Sequence, residues 1–455
     1  MKPLDLQTLC RLAAGDLRGV GSVVPRRVVS DSRQVGQGDL FVALRGERFD
    51  GHEYLPQVAS AGAAAALVQR GRAMPGLACI EVDDVLGGLQ RLAAGYRQLL
   101  KPLLIGITGS NGKTSTKDFL AAIMAQQMPT RATLGNLNNH IGLPLTLLSL
   151  EEQERCAVVE MGMNHAGEIR ALCDIARPDA AIITHIGVAH IEHLGSRDAI
   201  AWEKATLAAQ VPAAGVVVLN ADDDYSGKIA RHCQGRVLLA GLAATAGVRV
   251  LDAECSEKGS RFVLDFEGRR QVCELPLPGA HMMGNAALAA AMGWAQGLHP
   301  EQIAQALAGV SITPGRMQWR SARGLRFLDD SYNANPDSAC AALAALMALK
   351  GAGRRIAVLG RMGELGAFEQ AGHEQVGRMA AQCGVDALLS VGDSPALQQL
   401  GEAAKAAGLA CWQHFGTHDE AVQWLRANTA AGDAVLLKGS RAAAMETIFS
   451  RYQAS

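Results

Sequence analysis

The stretch LLIGITGSNGKTSTKDFL, residues 103–120, sets a Lys-Thr pair directly behind three glycines, Gly106, Gly109 and Gly112. An apolar strand, a glycine turn, Lys-Thr and a helix form the arrangement in which backbone N–H groups and a helix N-terminus cradle phosphate. In such a loop Lys113 reaches the β- and γ-phosphates of a nucleotide, and the Thr114 hydroxyl meets Mg²⁺. The usual spacing G-x-x-x-x-G-K-[ST] calls for a glycine at position 107, which is Ile107 here. A glycine-rich turn with an incidental lysine is the bland alternative. The lysine, the threonine and the flanking strand together argue against it.

A phosphate loop also needs an acid at the tip of a neighbouring strand to hold the metal. The segment CAVVEMG supplies Glu160, poorly placed for a solvated face and well placed at a strand tip. The segment THIGVAHIEHLGS gathers His185, His190, Glu192 and His193. His-x-Glu occurs in zinc deaminases, but their P-C-x-x-C partner is missing, and the H-E-x-x-H spacing of zinc proteases is absent too. Spacing alone therefore favours capping and hydrogen bonding in a polar loop. Lys204, in AWEKATL, reads on its own merits as a helix lysine.

The elements that must position these residues follow from apolar patterning. At 455 residues the chain is too long for one core. Its 49% hydrophobic and 19% charged residues are globular proportions. From LLIGIT to about Thr313, short apolar runs (CAVVEMG, DAAIITHIG, GVVVLNADD) alternate with helical stretches, which predicts a parallel sheet covered on both faces. The Pro-Gly turn in SITPGRMQWR marks a boundary. Beyond it LRFLDD, RIAVLG, DALLSVG and AVLLKGS predict a second open sheet of Rossmann-like type, with ligands outside the carboxyl ends of its strands. The fold class is therefore α/β with three domains: an N-terminal mixed α/β domain (1–83), a central phosphate-loop domain (84–313) and a C-terminal Rossmann-like domain (314–455).

Composition excludes other classes. Aromatics are 4% and formal net charge is -1 with no basic block, so nucleic acid is not an expected partner. Charges interrupt the first apolar stretch, and runs such as AGAAAALV are too short to span a bilayer, so neither a signal peptide nor a membrane is expected. Ten scattered cysteines without a C-x-x-C pair read as free thiols in a reducing, cytoplasmic compartment.

Taken together, TGSNGKTSTKDFL, VVEMGMNHAGEI, HIGVAHIEHLGS, HMMGNAALAAA, PGRMQ, DDSYNANPDS and VLLKGSR resemble the Mur ligases, the ATP-dependent amide-bond enzymes of peptidoglycan precursor synthesis. The match runs in order from Asp31 to Arg441, and the glycine spacing of the loop is the family's own form. GNLNNHIGLPLTLL, EMGMNHAGEI and DSYNANPDS most resemble the branch that adds D-alanyl-D-alanine, and the D-N-P-R motif of the diaminopimelate-adding branch is absent.

The resemblance implies roles. Gly109, Ser110, Asn111, Gly112, Lys113, Thr114 and Ser115 would hold ATP phosphates. Thr114 and Glu160 would bind one Mg²⁺, and His190 a second, helped by Lys204 if carbamylated. The family's Lys-x-Glu flank is Lys-Ala-Thr here, with Thr206. Asn285 and Arg316 match nucleotide-contacting positions; Asp330, Tyr332 and Asn333 lie where the C-terminal domain closes on ATP, and the same domain would bind the incoming dipeptide. Ser32 and the turn Gly46, Glu47, Arg48, Phe49 match a uridine-nucleotide site, and Asn136, Asn138 and Asn139 match a loop facing the substrate's pyrophosphate and sugar. In VLGRMGELG, Arg361 replaces a usual acid, while Glu364 and His373 match in type.

The implied chemistry is ATP-driven amide formation between UDP-N-acetylmuramoyl-tripeptide and D-alanyl-D-alanine through an acyl phosphate, by a monomer. The competing readings are another Mur ligase step, a folylpolyglutamate-synthase-like ligase, or a nucleotide-dependent switch.

Overall fold

Strands buried on both faces can hold little but apolar side chains, and the runs of the central region fold accordingly. In the computed structural model, which describes residues 1–19, 24–256, 258–349, 351 and 353–454, Leu103–Thr108, Cys156–Glu160 and Ala180–Ile183 lie side by side in a nine-stranded sheet. Its parallel part runs from Thr130–Ala132 at one edge through those three, Val216–Asn220 and Arg236–Gly241 to Val248–Ser256.

The far edge departs from the all-parallel expectation. Val248–Ser256, Gly259–Phe266 and Arg269–Leu275 form an antiparallel meander. Along Arg261–Phe266 buried residues alternate with less buried ones. That is the pattern of an antiparallel sheet with one face toward solvent.

Two further sheets flank this one. The N-terminal sheet has five strands, parallel except for the edge strand Asp16–Arg18 against Cys79–Val82. The helix Val85–Leu100 leads from it to the phosphate-loop strand; Asp84 caps its start by accepting from the Leu86 and Gly87 amides. The C-terminal sheet has the order Gln318–Ala322, Leu325–Asp329, Ala434–Lys438, Arg355–Gly360, Ala387–Val391, Trp412–Phe415, parallel except for the first hairpin. Helices Pro336–Met347, Glu369–Cys383 and Pro395–Ala406 cover one face and join an apolar cluster extending back through the central sheet to Leu6. Helices His418–Asn428 and Glu446–Ala454 cover the other and enclose a separate core around Phe327, Val358, Val435 and Phe449. The three sheets are thus joined by packing, with the C-terminal one attached through a single face.

The helices of that face touch at backbone distance. A Cβ on Gly377 would lie 2.0 Å from the Leu400 carbonyl oxygen. Gly377→Ala sets a helix-propensity gain of about 1 kcal/mol against an overpacking cost of about 1–3 kcal/mol. Since backbone cannot rotate aside, the cost should win. The expected outcome in urea is an earlier midpoint for the first unfolding transition; a later one would mean that the helices separate freely.

Candidate active site

The phosphate loop is short because its strand is long. The strand runs to Thr108, so position 107 lies inside the sheet, where no glycine is required. The turn is left to residues 109–112, and both ends of it demand glycine. A Cβ on Gly109 would lie 1.9 Å from the Thr184 hydroxyl. Gly112 sits at φ +80° with its Cα against the Asn285 amide. The helix Lys113–Met124 then starts with its N-terminus facing a cavity of about 1220 Å³.

Glu160, at the tip of the adjacent strand, turns a buried carboxyl group toward that helix. One oxygen accepts from the Thr114 hydroxyl at 3.0 Å, the other from the Asn138 amide at 2.9 Å. Arg316 donates to the same Thr114 hydroxyl at 3.2 Å and stacks over the Tyr332 ring at 4.1 Å. Lys113 curls back to the Gly109 carbonyl at 2.7 Å, and burial lowers its ammonium pKa.

The next loop packs on this one. Ser110 N–H donates to the His185 carbonyl, and the Gly187 amide to the Ser110 hydroxyl. His185 leans on Asp223 at 2.9 Å. Burial alone would raise the Asp223 carboxyl, but His185 and the Ile186 and Tyr225 amides hold it below its ordinary value. His190 stands at φ +64°, uncommon outside glycine. Its Nδ1 is 2.7 Å from a Glu364 carboxylate oxygen but satisfies no well-aligned hydrogen bond.

Lys204 does not line the cavity and is buried, 1% exposed, in the helix Arg197–Ala209. Burial first, then the nearby Lys113 ammonium, pushes it well below the ordinary lysine range. Thr206 bonds back to the Trp202 carbonyl and does not line the cavity.

Gly109 aside, the expected phosphate-side residues 110–115, Asn285, Asp330, Tyr332 and Asn333 all border the cavity, as do Asn136, Asn138 and Asn139. Ser32 and Gly46–Phe49 do not. They belong to the N-terminal sheet region, where the Gly46 amide closes a turn on the Phe49 carbonyl and the Phe49 side chain is exposed. Arg361 pairs with Glu369, its guanidinium turned to a helix rather than to the cavity.

Among the cavity residues that sequence reasoning passed over, four make or shape its contacts. Lys438, buried, donates to the Asp330 carboxylate and to the Asn333 carbonyl and so fixes that loop. His281 is pushed down to about 4 by burial. Asn335 and Asp337 open the helix Pro336–Met347 and both reach across to the central sheet. Asn335 exchanges two amide hydrogen bonds with Asn111, at 2.8 and 3.2 Å, and Asp337 accepts from the Val188 amide at 3.2 Å. AVLLKGS carries the same sign as CAVVEMG, a charge directly behind an apolar strand, and Asn-Pro-Asp is a helix-start signature.

Three family descriptions match in chain order. They are "Mur ligase family, catalytic domain" over residues 26–97, "Mur ligase middle domain" over 107–293, and "Mur ligase, glutamate ligase domain" over 315–441. The UDP-N-acetylmuramoyl-tripeptide--D-alanyl-D-alanine ligase of Bacillus subtilis is 38% identical over 424 residues, 92% of each chain. Among solved structures, MurF from Acinetobacter baumannii superposes with a TM-score of 0.91 at 31% identity, covering 100% of this chain and 99% of that one. MurF from Thermotoga maritima in complex with ADP gives a TM-score of 0.83 at 27% identity, covering 94% and 97%.

The Asn111–Asn335 exchange bridges the phosphate loop and the C-terminal sheet. Asn111→Ala removes it without touching the helix cap that Asn335 also provides. Small-angle scattering should show a larger radius of gyration for Asn111→Ala, and the same increase for Asn335→Ala. An unchanged radius for Asn111→Ala would mean that the apolar contact and the remaining bridges, Asp337 to Val188 among them, hold the two parts together without it.

Proposed function

The chain belongs to the Mur ligase family, and from that premise we propose that it joins D-alanyl-D-alanine to UDP-N-acetylmuramoyl-tripeptide at the expense of ATP. The carrying observation is the hydrogen-bonded line Arg316–Thr114–Glu160–Asn138, which ties nucleotide side to substrate side within one cavity. The product is the pentapeptide precursor of peptidoglycan, on which cell-wall growth, cell shape and division depend.

Boundaries at 83/84 and 313/314 divide the work. The turn Gly46–Phe49 and Ser32 take the uridine end, and Asn136, Asn138 and Asn139 take the pyrophosphate and sugar. The substrate is long enough to run from the first site to the second, which accounts for a uridine subsite away from the cavity. Asn285 and Arg316 contact the nucleotide, and Asp330, Tyr332 and Asn333 close over it. No described helix is long and apolar enough to cross a membrane; the enzyme works as a cytoplasmic monomer on these carriers.

In the first step a substrate carboxylate oxygen bonds to the γ-phosphorus of ATP, and the bond from that phosphorus to the bridging oxygen breaks, releasing ADP. In the second the dipeptide nitrogen bonds to the acyl carbon, loses a proton, and phosphate departs with the C–O electron pair. The obstacle in the first is repulsion between carboxylate and triphosphate. Lys113, Arg316 and the backbone N–H groups of residues 111–115 offset it where charge builds up. Closure of the C-terminal sheet keeps water from the acyl phosphate.

Mg²⁺ fits this donor set. Thr114 and Glu160 are hard oxygen donors for one ion, and the imidazole of His190, beside the Glu364 carboxylate, would serve a second, with Lys204 as a carbamate. Among the described residues no three His, Cys, Asp or Glu side chains converge on a metal site, so phosphate oxygens would complete either shell. The ions would neutralise the transferring oxygens. Carbamylation would turn a buried cation beside Lys113 into an anion, removing a like-charge contact.

The decisive measurement is phosphate release from Mg-ATP and UDP-N-acetylmuramoyl-tripeptide with and without D-alanyl-D-alanine, with the product weighed. Release should require the dipeptide; release with a single amino acid would move the chain to another step. Lys113→Ala should lower turnover by roughly 10³-fold or more, the upper range for losing one transition-state donor. Lys204→Ala should lose activity that small carboxylic acids partly restore; full activity without them would remove the carbamate.

A further inference from the structure

Two loops of the C-terminal sheet meet at the place where an open α/β sheet binds ligands. Arg355–Gly360 and Ala434–Lys438 are neighbouring parallel strands. The helices after them go to opposite faces, Glu369–Cys383 to one and Glu446–Ala454 to the other. Their carboxyl ends therefore border a topological switch point. The loops beyond are tied together by the Ser440 amide donating to the Arg361 carbonyl at 2.9 Å.

The charged groups this part of the chain turns to the cavity are Arg316, Asp330, Asp337, Glu364, Lys438 and Arg441. Four have internal work. Arg316 is spent on Thr114 and Tyr332, Asp330 and Lys438 on each other, and Asp337 on the Val188 amide. The remaining acid and base, Glu364 and Arg441, stand on the two loops of the switch point and are each paired once, with His190 and with Glu446. The Glu364 side chain is 52% exposed and that of Arg441 69%. Glu364 faces His190, at the phosphate end. Arg441 is steadied by one bond from Nη1 to Glu446 at 2.8 Å, and its other N–H groups make no hydrogen bond among the described residues.

We propose that Arg441 is the anchor for the terminal carboxylate of the incoming dipeptide, and so sets which end of that zwitterion faces the acyl phosphate. The inference rests on the ligase reading above. A dipeptide carries an ammonium at one end and a carboxylate at the other, and only the amine end can react. A guanidinium takes a carboxylate through two parallel N–H···O bonds. With the carboxylate on Arg441, the amine end falls toward Glu364 and His190, the side on which Lys113 holds phosphate. Held the other way round, each end would meet its own charge.

The test compares D-alanyl-D-alanine with D-alanyl-D-alaninamide, which has a neutral carboxamide in place of the carboxylate. The unsubstituted enzyme should prefer the acid in kcat/KM by roughly 10- to 100-fold, the range for one hydrogen bond to a charged group. Arg441→Gln should raise KM for the acid by the same factor and use acid and amide alike, with KM for ATP and for the UDP-linked substrate unchanged. Arg441→Lys should keep part of the preference and show that the position is folded. An Arg441→Gln enzyme that still prefers the acid as strongly as its parent would overturn the proposal. Phosphate release that depends on neither dipeptide in the unsubstituted enzyme would instead overturn the ligase reading itself.

Discussion

A carboxyl group taken out of water is sustained only if its oxygens find donors, and Glu160 finds one on each side. Thr114 comes from the phosphate-loop helix, and Asn138 from the loop before Gly142–Leu148. The Thr114 hydroxyl in turn accepts from Arg316, which belongs to the approach to the C-terminal sheet. One buried side chain thus draws three separate stretches to a single point. The backbone follows: the Glu160 amide bonds the Thr133 hydroxyl, and the Thr108 hydroxyl bonds the Met161 carbonyl, so the strand tip cannot shift without its neighbours.

Around that point the chain holds several cations close to one another. Lys113, Arg316 and Lys438 border the cavity, and the buried Lys204 is close enough to Lys113 to feel its charge. Asp330 answers Lys438, and Glu160 is divided between neutral donors. Such a group of cations suits a site that must draw a triphosphate and a carboxylate together in little water. Burial is the first reason that the Lys113 and Lys204 ammonium groups are both lowered, and a neighbouring cation adds to it in each case, Arg316 for the one and Lys113 for the other. Two ammonium groups held close in a dry place are stable together only once an anion arrives or one of them loses its charge.

Much of this was legible in the sequence, for a physical reason. A strand buried on both faces has to be apolar, and the first residue that breaks the run marks the tip; CAVVE and its Glu160 were readable in that way. Lys438 obeys the same rule and was passed over, because lysine on a surface is so ordinary that its position carries little weight. The antiparallel edge, Val248–Leu275, was missed because its strands alternate and carry many charges, which blurs them into loop. The Asn111–Asn335 exchange was out of reach altogether. It joins residues 224 positions apart, and no local pattern encodes a partner at that distance.

The two halves of the cavity are built differently. On the nucleotide side the groups are cross-bonded to neighbours: Thr114 to Glu160, Asn111 to Asn335, Lys438 to Asp330. On the acceptor side Glu364 and Arg441 stand on loops, exposed and lightly held. Phosphoryl transfer depends on charges fixed before the reaction begins, so its groups gain from rigid support. Choosing an amine requires only that one end of a small zwitterion be recognised. A loop can do that without disturbing the rest, because the C-terminal sheet meets the central one through one helical face and a few polar bridges. Residues at the carboxyl ends of Arg355–Gly360 and Ala434–Lys438 can therefore change which acceptor is taken while Glu160 and its partners go on activating the same carboxylate.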